Sequence, residues 1–177
     1  MKRIKKEHKN EIMERIKEAG DSNNYETSWD DKGIPISKKK SEIKKGRRSR
    51  AAGSRFELKV RQDLESKGRI VDKWTNNVDL EEGKIITAKR KYNPFKKMLV
   101  VGTGFPDFVT IKHVHDELYS VIGVEVKMNG ILLKEEKEKC AWYLQKQIFS
   151  QIWIAKKGKK RGEIEYINFV EKYNKTQ

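Results

Sequence analysis

The pattern of hydrophobic and polar positions changes character near residue 53 of this 177-residue chain. Over residues 2–19 a few apolar side chains recur at helical spacing, so we predict a short basic helix; lysines interrupt the apolar stripe, which leaves its packing open. Its apolar residues are Ile4, Ile12, Met13 and Ile16. Residues 20–52 offer little to bury and end in the run SKKKSEIKKGRRSR, which predicts a flexible linker.

A stronger helical pattern follows the linker. Residues 53–68 read GSRFELKVRQDLESKG and place Phe56, Val60 and Leu64 on one face of a helix. Gly68 suits the end of that helix, because glycine readily takes the left-handed conformation found just past a helix C-terminus.

Short extended runs and a second helix fill the rest of the chain. We predict strands at residues 69–74, 84–90, 98–101, 107–113, 119–127, 151–157 and 163–169. A helix is predicted over 131–147, and a short one over 170–175; the residues on one side of the longer helix are Leu133, Cys140, Ala141 and Leu144. This order predicts an α/β or α+β fold with a central mixed sheet, and it divides the chain into an N-terminal segment, 1–52, and a folded domain, 53–177.

Charged residues lie at the rim of two consecutive apolar runs. Residues 104–127 read GFPDFVTIKHVHDELYSVIGVEVK. With a turn at 115–117 the two runs form an antiparallel hairpin in which Asp107 lies opposite Glu125, and the Cβ atoms of opposed residues are about 4.5–5.5 Å apart. The two-residue period puts Lys127 on the same face. The other face is apolar at this end, so a slip of one residue would scatter the arrangement; its residues are Phe108, Ile122, Val124 and Val126.

The Asp107–Glu125 pair suits a metal ion. Two carboxylates this close repel each other, and a hard divalent cation such as Mg²⁺ or Mn²⁺ relieves the repulsion because it prefers oxygen ligands. Lys127 would orient or help deprotonate a water at such a site and steady an anionic transition state, which phosphodiester hydrolysis requires. The alternative is a structural ion-pair cluster at a strand end, with Lys127 between two acids.

Composition and charge narrow the class of partner. Lys and Arg number 41 against 26 Asp and Glu, and the net charge of +15 favours a polyanion. The one cysteine, Cys140, excludes an internal disulfide and is interpreted as a small buried residue rather than a nucleophile. We find no long apolar segment or export signal, so we expect an intracellular, cytoplasmic protein without a membrane segment.

Three basic segments are candidates for nucleic-acid contact. The run that ends the linker is either a phosphate-contacting arm or a solvated tether; with the helix start after it, it supplies Arg47, Arg48, Arg50 and Arg55. Residues 88–97, AKRKYNPFKK, suit backbone contacts plus base stacking or form a hairpin with solvated lysines; the candidates there are Lys89, Arg90, Lys91 and Tyr92. The turn at 158–162 suits generic phosphate contact through Lys159, Lys160 and Arg161.

Other chemistry-bearing residues are given structural roles. His113 and His115 share the face of Asp107 but lie about 20 Å or more away along the strand, so they cannot join the same site and are interpreted as hairpin-end residues. The tryptophans of the folded domain are interpreted as core residues: Trp74, Trp142 and Trp153.

The motif and its surroundings resemble a known nuclease superfamily. Pro106-Asp107 followed by Glu125-Val126-Lys127 matches the PD-(D/E)XK pattern. Residues 53–68 resemble the first helix of archaeal Holliday-junction resolvases, and residues 129–157 resemble the helix and strand that follow the motif in resolvases and virus-type replication-repair nucleases. The resemblance covers roughly residues 50–172 and leaves the N-terminal segment unexplained.

The resemblance implies roles for individual residues. Asp107, Glu125 and the backbone carbonyl of Val126 would bind the metal, and Lys127 would be the catalytic lysine. Glu57 on the first helix would complete the acidic site. Where related nucleases have a glutamine on the following helix, this chain has Glu136; it either alters metal preference or pairs with Lys139 on a solvated face, and we favour the pairing.

The resemblance also implies fold, reaction and assembly. We expect a restriction-endonuclease-like core, Mg²⁺- or Mn²⁺-dependent hydrolysis of DNA that leaves a 5′-phosphate and a 3′-hydroxyl, branched or junction DNA as substrate, and a homodimer. The segment between the first helix and Pro106 is longer than in compact resolvases. A restriction-like, flap or repair nuclease therefore stays an alternative, as does a DNA-binding module without catalysis.

Overall fold

A computed structural model describes residues 6–87, 90–93, 98–101 and 104–173 of the chain, with side chains over residues 10–87 and 104–173. The chain divides into two compact units, Met1–Ser54 (the N-terminal unit) and Arg55–Gln177 (the C-terminal unit). The first elements in chain order are α1 (Lys6–Gly20), β1 (Tyr25–Trp29), β2 (Pro35–Lys39) and α2 (Lys40–Ser66). They are followed by β3 (Ile70–Lys73), β4 (Asn76–Asp79), β5 (Lys84–Thr87), β6 (Arg90–Asn93), β7 (Met98–Val101), β8 (Phe108–His115) and β9 (Leu118–Val126). The last are α3 (Lys134–Gln145), β10 (Gln151–Lys157), β11 (Ile164–Asn168) and α4 (Phe169–Tyr173).

The predicted linker over residues 20–52 is wrong, because an antiparallel hairpin and the first half of a long helix occupy it. Strands β1 and β2 pair from Tyr25↔Lys39 to Trp29↔Pro35. The Asp30 carboxylate accepts the backbone N–H groups of Lys32 at 2.9 Å and Ile34 at 2.8 Å, which closes the turn. Local hydrogen bonds thus order a segment that has almost no apolar alternation.

Helix α2 joins the basic run to the apolar stripe that the sequence analysis identified. It begins at Lys40, not at residue 53 as predicted, and only its second half carries the buried residues Phe56, Val60 and Leu64. Its end agrees with the prediction: Gly68 has φ of 71°, and the Arg69 N–H donates to the Leu64 carbonyl at 3.2 Å. The first half is basic and exposed, so burial does not explain why it is helical. Its lysines and arginines have high helix propensity, and it continues directly into the buried second half.

The C-terminal unit is an α/β fold with a five-stranded mixed sheet in the order β11-β10-β9-β8-β3. Strands β9 and β10 are parallel and are connected through α3, and the other neighbours in this sheet are antiparallel. Of the two further hairpins, β4–β5 uses a strand, β4, that the sequence analysis did not predict, whereas β6–β7 agrees with the hairpin that was one of the two interpretations of residues 88–97.

Apolar side chains cover both faces of the sheet. On one face Phe56, Val60 and Leu64 of α2 pack with buried strand residues, namely Val71, Phe108, Ile122, Val124 and Ala155. On the other face α3 packs through Cys140 and Tyr143, with Leu132, Phe149, Ile152, Ile154 and Phe169. Alternate residues of the same strands serve the two clusters, as the two-residue period of a strand requires.

Helix α3 confirms part of the predicted inner side, because Leu144 is partly buried against the core beside Cys140. Cys140 is fully buried as expected, but Ala141 is exposed and Leu133 is 69% exposed. Tyr143 takes the inner position, and its hydroxyl accepts the Trp74 indole N–H at 3.0 Å. Tyr143 lies three residues after Cys140, so it shares that face of the helix, whereas Ala141 is turned away.

Within the described ranges no helix is both long and apolar enough to cross a membrane.

Candidate functional site

Asp107 and Glu125 meet where strands β8 and β9 end. The strands pair from Phe108↔Val124 to His113↔Tyr119, which confirms the predicted register. The Asp107 backbone N–H donates to Oε2 of Glu125 at 3.2 Å, and the Val126 N–H donates to Oδ2 of Asp107 at 2.9 Å. The two carboxylates therefore extend the β8–β9 pairing by one further pair of cross-strand hydrogen bonds, in which side-chain oxygens replace backbone carbonyls as acceptors.

Tight packing fixes this end of the hairpin. Pro106, which precedes the acid, is fully buried, and Phe105 and Phe108 on either side are buried as well. A Cβ atom on Gly123 would lie 2.9 Å from Cγ of Pro106 and 3.1 Å from the Phe149 ring, so only glycine allows this approach. The apolar neighbours hold the acids at a defined place on the sheet edge.

Burial and mutual repulsion change the protonation of both acids. Glu125 is 5% exposed; burial first, and then the Asp107 carboxylate, raise the pKa of Glu125 to about 8 against the opposing effect of Lys127. Burial also raises the pKa of Asp107, and the Val126 N–H offsets part of that increase. Without a counter-ion, these carboxylates resist holding two negative charges together.

Lys127 lies between two glutamates. Its Nζ atom is 3.1 Å from Oε1 of Glu125 and 2.6 Å from Oε1 of Glu136. Burial lowers the pKa of Lys127, but the hydrogen bond to Glu136 and the charge of Glu125 outweigh that effect, so its pKa is raised overall. The ammonium group is therefore kept charged beside the acid pair.

The favoured pairing of Glu136 with Lys139 is wrong. Glu136 instead bonds Lys127 through one carboxylate oxygen, and its Oε2 accepts the Leu133 backbone N–H at 2.8 Å at the start of α3. Lys139 pairs with Glu135, whose carboxylate is 2.5 Å away. The glutamate four residues before Lys139, rather than three, takes the usual helical ion pair, which leaves Glu136 facing the strand end.

Glu57 lies near the acid pair without joining it. It is half-buried on α2, and its charge contributes to the raised pKa of Asp107. Over the side chains that the structure describes, no group of three or more His, Cys, Asp or Glu residues is arranged to hold a metal ion. The acids that the sequence analysis assembled thus lie in one region, but only Asp107 and Glu125 are in direct contact.

The two carboxylates nevertheless fit a hard cation. Oδ1 of Asp107 accepts no hydrogen bond from any described residue, and Glu125 beside it is a second oxygen ligand. Mg²⁺ binds through one or two carboxylates and keeps several waters, so two acids are a sufficient protein share. The raised pKa values of both groups show that burial and mutual repulsion disfavour their charged forms, and a bound cation would offset both effects.

The predicted nucleic-acid contacts are spread over both units. Arg47, Arg48 and Arg50 are exposed on α2 in the N-terminal unit, and Arg55 is exposed on α2 in the C-terminal unit. Lys159, Lys160 and Arg161 are exposed in the β10–β11 turn. Lys89 lies outside the described residues, and Arg90, Lys91 and Tyr92 form part of β6, whose backbone alone is described.

The residues given structural roles occupy the expected places. The ring of His113 bonds the carbonyl of Asp116 at 2.6 Å, and His115 bonds the Asp116 carboxylate at 3.2 Å, both at the far end of the hairpin. The three tryptophans, Trp74, Trp142 and Trp153, are partly buried against the two core clusters.

Lys73 is a neighbour of the site that the sequence analysis missed. Its charge lowers the pKa of Asp107, because β3 pairs with β8 and Lys73 stands opposite Phe108, next to the acid. A strand pairing of β3 with β8, had it been predicted, would have identified it.

Comparison with protein-family models, with curated proteins and with solved structures finds no match for this chain.

Proposed function

We propose that the chain is a metal-dependent DNA endonuclease of the PD-(D/E)XK type, closest in layout to archaeal Holliday-junction resolvases. One observation carries the proposal: the half-buried Asp107 and the buried Glu125, both with raised pKa values, are hydrogen-bonded across two strand ends, and Lys127 forms an ion pair with Glu125. The mixed sheet with helices on both faces supports a restriction-endonuclease-like core. By analogy with enzymes that make paired nicks in a junction, the active form would be a homodimer.

Asp107 and Glu125 would hold Mg²⁺ or Mn²⁺, with the Val126 carbonyl as the further ligand that the family resemblance implies. When bound, such a cation supplies Lewis acidity and activates water for attack on a phosphodiester. Hydrolysis joins the water oxygen to phosphorus and breaks the bond to the 3′ oxygen, which leaves a 5′-phosphate and a 3′-hydroxyl.

Lys127 would contribute charge at the reacting phosphate. Its ammonium group is partly buried and fixed between Glu125 and Glu136, so it needs little reorganisation to face a developing negative charge. Glu136 positions Lys127 while it also accepts the first N–H of the α3 region, from Leu133. Glu57 and Lys73 would act on the pair through their charges.

The overall charge supports DNA as the substrate. A net charge of +15 and exposed cations on α2 and in the β10–β11 turn favour a phosphate backbone. Affinity should fall steeply with salt, since each neutralised phosphate contributes about one unit to the log–log slope.

Cleavage assays on four-way junction, flap and linear duplex DNA test the proposal. In Mg²⁺ or Mn²⁺ the wild type should cut at least one of these substrates and in EDTA none. Lys127→Ala and Asp107→Asn should each lower the rate roughly 100- to 1,000-fold, the typical cost of removing one preorganised electrostatic group. The asparagine keeps an oxygen for the Val126 N–H, so this variant separates charge from folding.

Lys134→Ala is the matched control, because it removes one lysine charge from a side chain that is 93% exposed on α3. It should cut at the wild-type rate. A wild type inactive with both metals, or Asp107 and Lys127 variants that cut as well as Lys134→Ala, would refute the catalytic proposal. Paired nicks confined to the junction would identify the resolvase substrate, and cutting of flap or duplex DNA the alternative nucleases.

A non-catalytic DNA-binding module is the second candidate. It is favoured by the ion pairs that engage Lys127 with two glutamates and by the absence, within the described residues, of a three-acid metal cluster. Thermal unfolding with and without Mn²⁺ discriminates the two candidates. A midpoint that rises with Mn²⁺ in the wild type, but not in Asp107→Asn, supports the metal site, and equal responses support the module.

A further inference from the structure

A basic cleft lies in the C-terminal unit between α2 and the β10–β11 turn. Its volume is about 470 Å³, and its cationic lining residues are Lys59, Lys157, Lys159, Lys160 and Arg161. None of these five forms a salt bridge with an acid anywhere in the described parts of the chain. Lys59 and Lys157 were not singled out by sequence, because the packing of α2 beside the turn brings them together.

The one acid in the cleft, Glu163, is engaged by the backbone of the turn. Its carboxylate accepts the Lys160 N–H at 2.9 Å, and its carbonyl accepts the Gly158 N–H at 2.9 Å. A Cβ atom on residue 158 would lie 2.4 Å from the Glu163 side chain, so glycine is required for this closure. Glu163 therefore stabilises the turn through backbone hydrogen bonds, and the ammonium groups of the turn lysines stay available to a ligand.

The cleft and the acid pair lie at the same edge of the sheet. Strands β9 and β10 are parallel, and two backbone bonds join their ends, from Lys127 N–H to Ala155 at 2.9 Å and from Lys157 N–H to Met128 at 3.3 Å. Helix α2 links the two places as well, because Phe56 lines the cleft and the next residue, Glu57, acts on Asp107.

We infer that this cleft binds backbone phosphates of the DNA strand next to the phosphate that is cut. The inference rests on the proposed function for the identity of the ligand as DNA. Lysine-rich linings suit phosphates, which need charge more than directional recognition. Phe56 is 6% exposed and the lining has no other aromatic ring, so base stacking does not explain the cleft. From Ala155, which lies beside Lys127, to Lys157 at the end of β10 the strand advances about 7 Å, which matches a rise of about two nucleotides along a duplex axis at about 3.4 Å each.

Binding measured without cleavage tests the cleft. The protein is titrated against a fluorescein-labelled DNA duplex in EDTA, and fluorescence anisotropy gives the affinity across salt concentrations from about 50 to 200 mM. Lys159→Ala/Lys160→Ala should bind about tenfold more weakly and show a log–log salt slope smaller by about two. These side chains are exposed and the turn bonds use only the backbone of Lys160, so the variant should fold normally, which circular dichroism checks.

The control is Lys134→Ala/Lys146→Ala, which removes the same charge from exposed positions of the α3 region. It should keep the wild-type slope. Equal slopes for the two double variants would overturn the inference, since overall charge would then account for binding. A duplex with one neutral methylphosphonate sharpens the test: placed near the cut, it should weaken the wild type more than the Lys159/Lys160 variant. Equal weakening of both would also count against the cleft.

The change in salt slope does not depend on catalysis. If the slope changes as expected but the wild type cuts no DNA, phosphate binding by the cleft stands, and its position next to a cut phosphate fails together with the nuclease proposal. If the wild type cuts DNA while both double variants bind alike, the nuclease stands and the cleft fails.

Discussion

No described side chain of the N-terminal unit is buried, whereas the C-terminal unit encloses two clusters of buried residues on opposite faces of one sheet. The first unit keeps its hairpin through local hydrogen bonds, such as those that Asp30 accepts. The second is stabilised by apolar area removed from water. Only the second can hold carboxylates in surroundings that raise their pKa values, so the candidate chemistry lies there, while exposed positive charge lies in both units.

Core truncation should give the largest difference between the units. Ile154→Ala in the fully buried β10 position should lower the free energy of unfolding by about 2–5 kcal/mol. Ile16→Ala on α1, where the side chain is 56% exposed, should change it by less than about 0.5 kcal/mol. Urea denaturation followed by circular dichroism measures both. Similar losses for the two variants would mean that the N-terminal unit has a core of its own.

The buried Glu125 should make stability depend on pH. Its pKa rises from 4.5 to about 8 on folding, so the folded protein binds the proton more tightly than the unfolded chain does. The stabilising contribution is complete below pH 4.5 and is lost as the pH rises through about 8. Above that range, metal-free Glu125→Gln should be more stable than the wild type, on the order of 3 kcal/mol.

The control for this prediction is Glu165, whose pKa is lowered on folding rather than raised, so its effect on stability has the opposite dependence on pH. The hydrogen bond from Lys156 lowers the pKa of Glu165, so its contribution is present at neutral pH and lost on acidification. Glu165→Gln should therefore weaken the protein slightly at pH 7 and leave the loss at high pH unchanged. Chemical denaturation at several pH values in EDTA measures both. A wild type whose stability falls from pH 5 to 8 no more than that of Glu125→Gln would contradict the assignment.

Apart from the control variants, the smallest expected effect is local to the N-terminal unit. Asp30→Ala removes the acceptor of two turn N–H groups and should weaken the β1–β2 hairpin by about 1 kcal/mol. Asp30→Asn keeps an acceptor oxygen and should lose less. Hydrogen exchange should speed up at the strand amides of residues 25–39 and stay unchanged in β8–β10. Faster exchange in β8–β10 as well would show that the two units unfold together.

Sequence patterns predicted the C-terminal unit well, because its elements follow apolar periodicity. Phe56, Val60 and Leu64 defined one helix face, and the register of residues 107–127 placed Asp107 against Glu125 without any tertiary information. The hairpin of the N-terminal unit was missed, since Tyr25–Trp29 and Pro35–Lys39 do not alternate toward a core. The turn residues Asp30 and Gly33 were the available signal.

The other contacts of the site and of the basic cleft depend on tertiary packing, which cannot be read from the spacing of residues along the chain. Glu136 reaches Lys127 because the connection after β9 seats the start of α3 beside the strand end. The sequence analysis instead favoured its pairing with Lys139 on a solvated helix face. Lys59 and Lys157 are almost 100 residues apart in sequence, and only the stacking of α2 against the sheet makes them neighbours in one cleft.

The two hydrogen bonds that the Asp107 and Glu125 carboxylates accept at the end of the β8–β9 pairing provide a way to detect a bound cation. Oxygens of Asp107 and Glu125 accept the amide protons of Val126 and Asp107, so any ion that draws these carboxylates to itself competes with the backbone for them. Occupancy would therefore appear in the NMR chemical shifts of those two amides. These two amide signals at the strand ends should therefore shift when the cation alone is added, before any DNA is present.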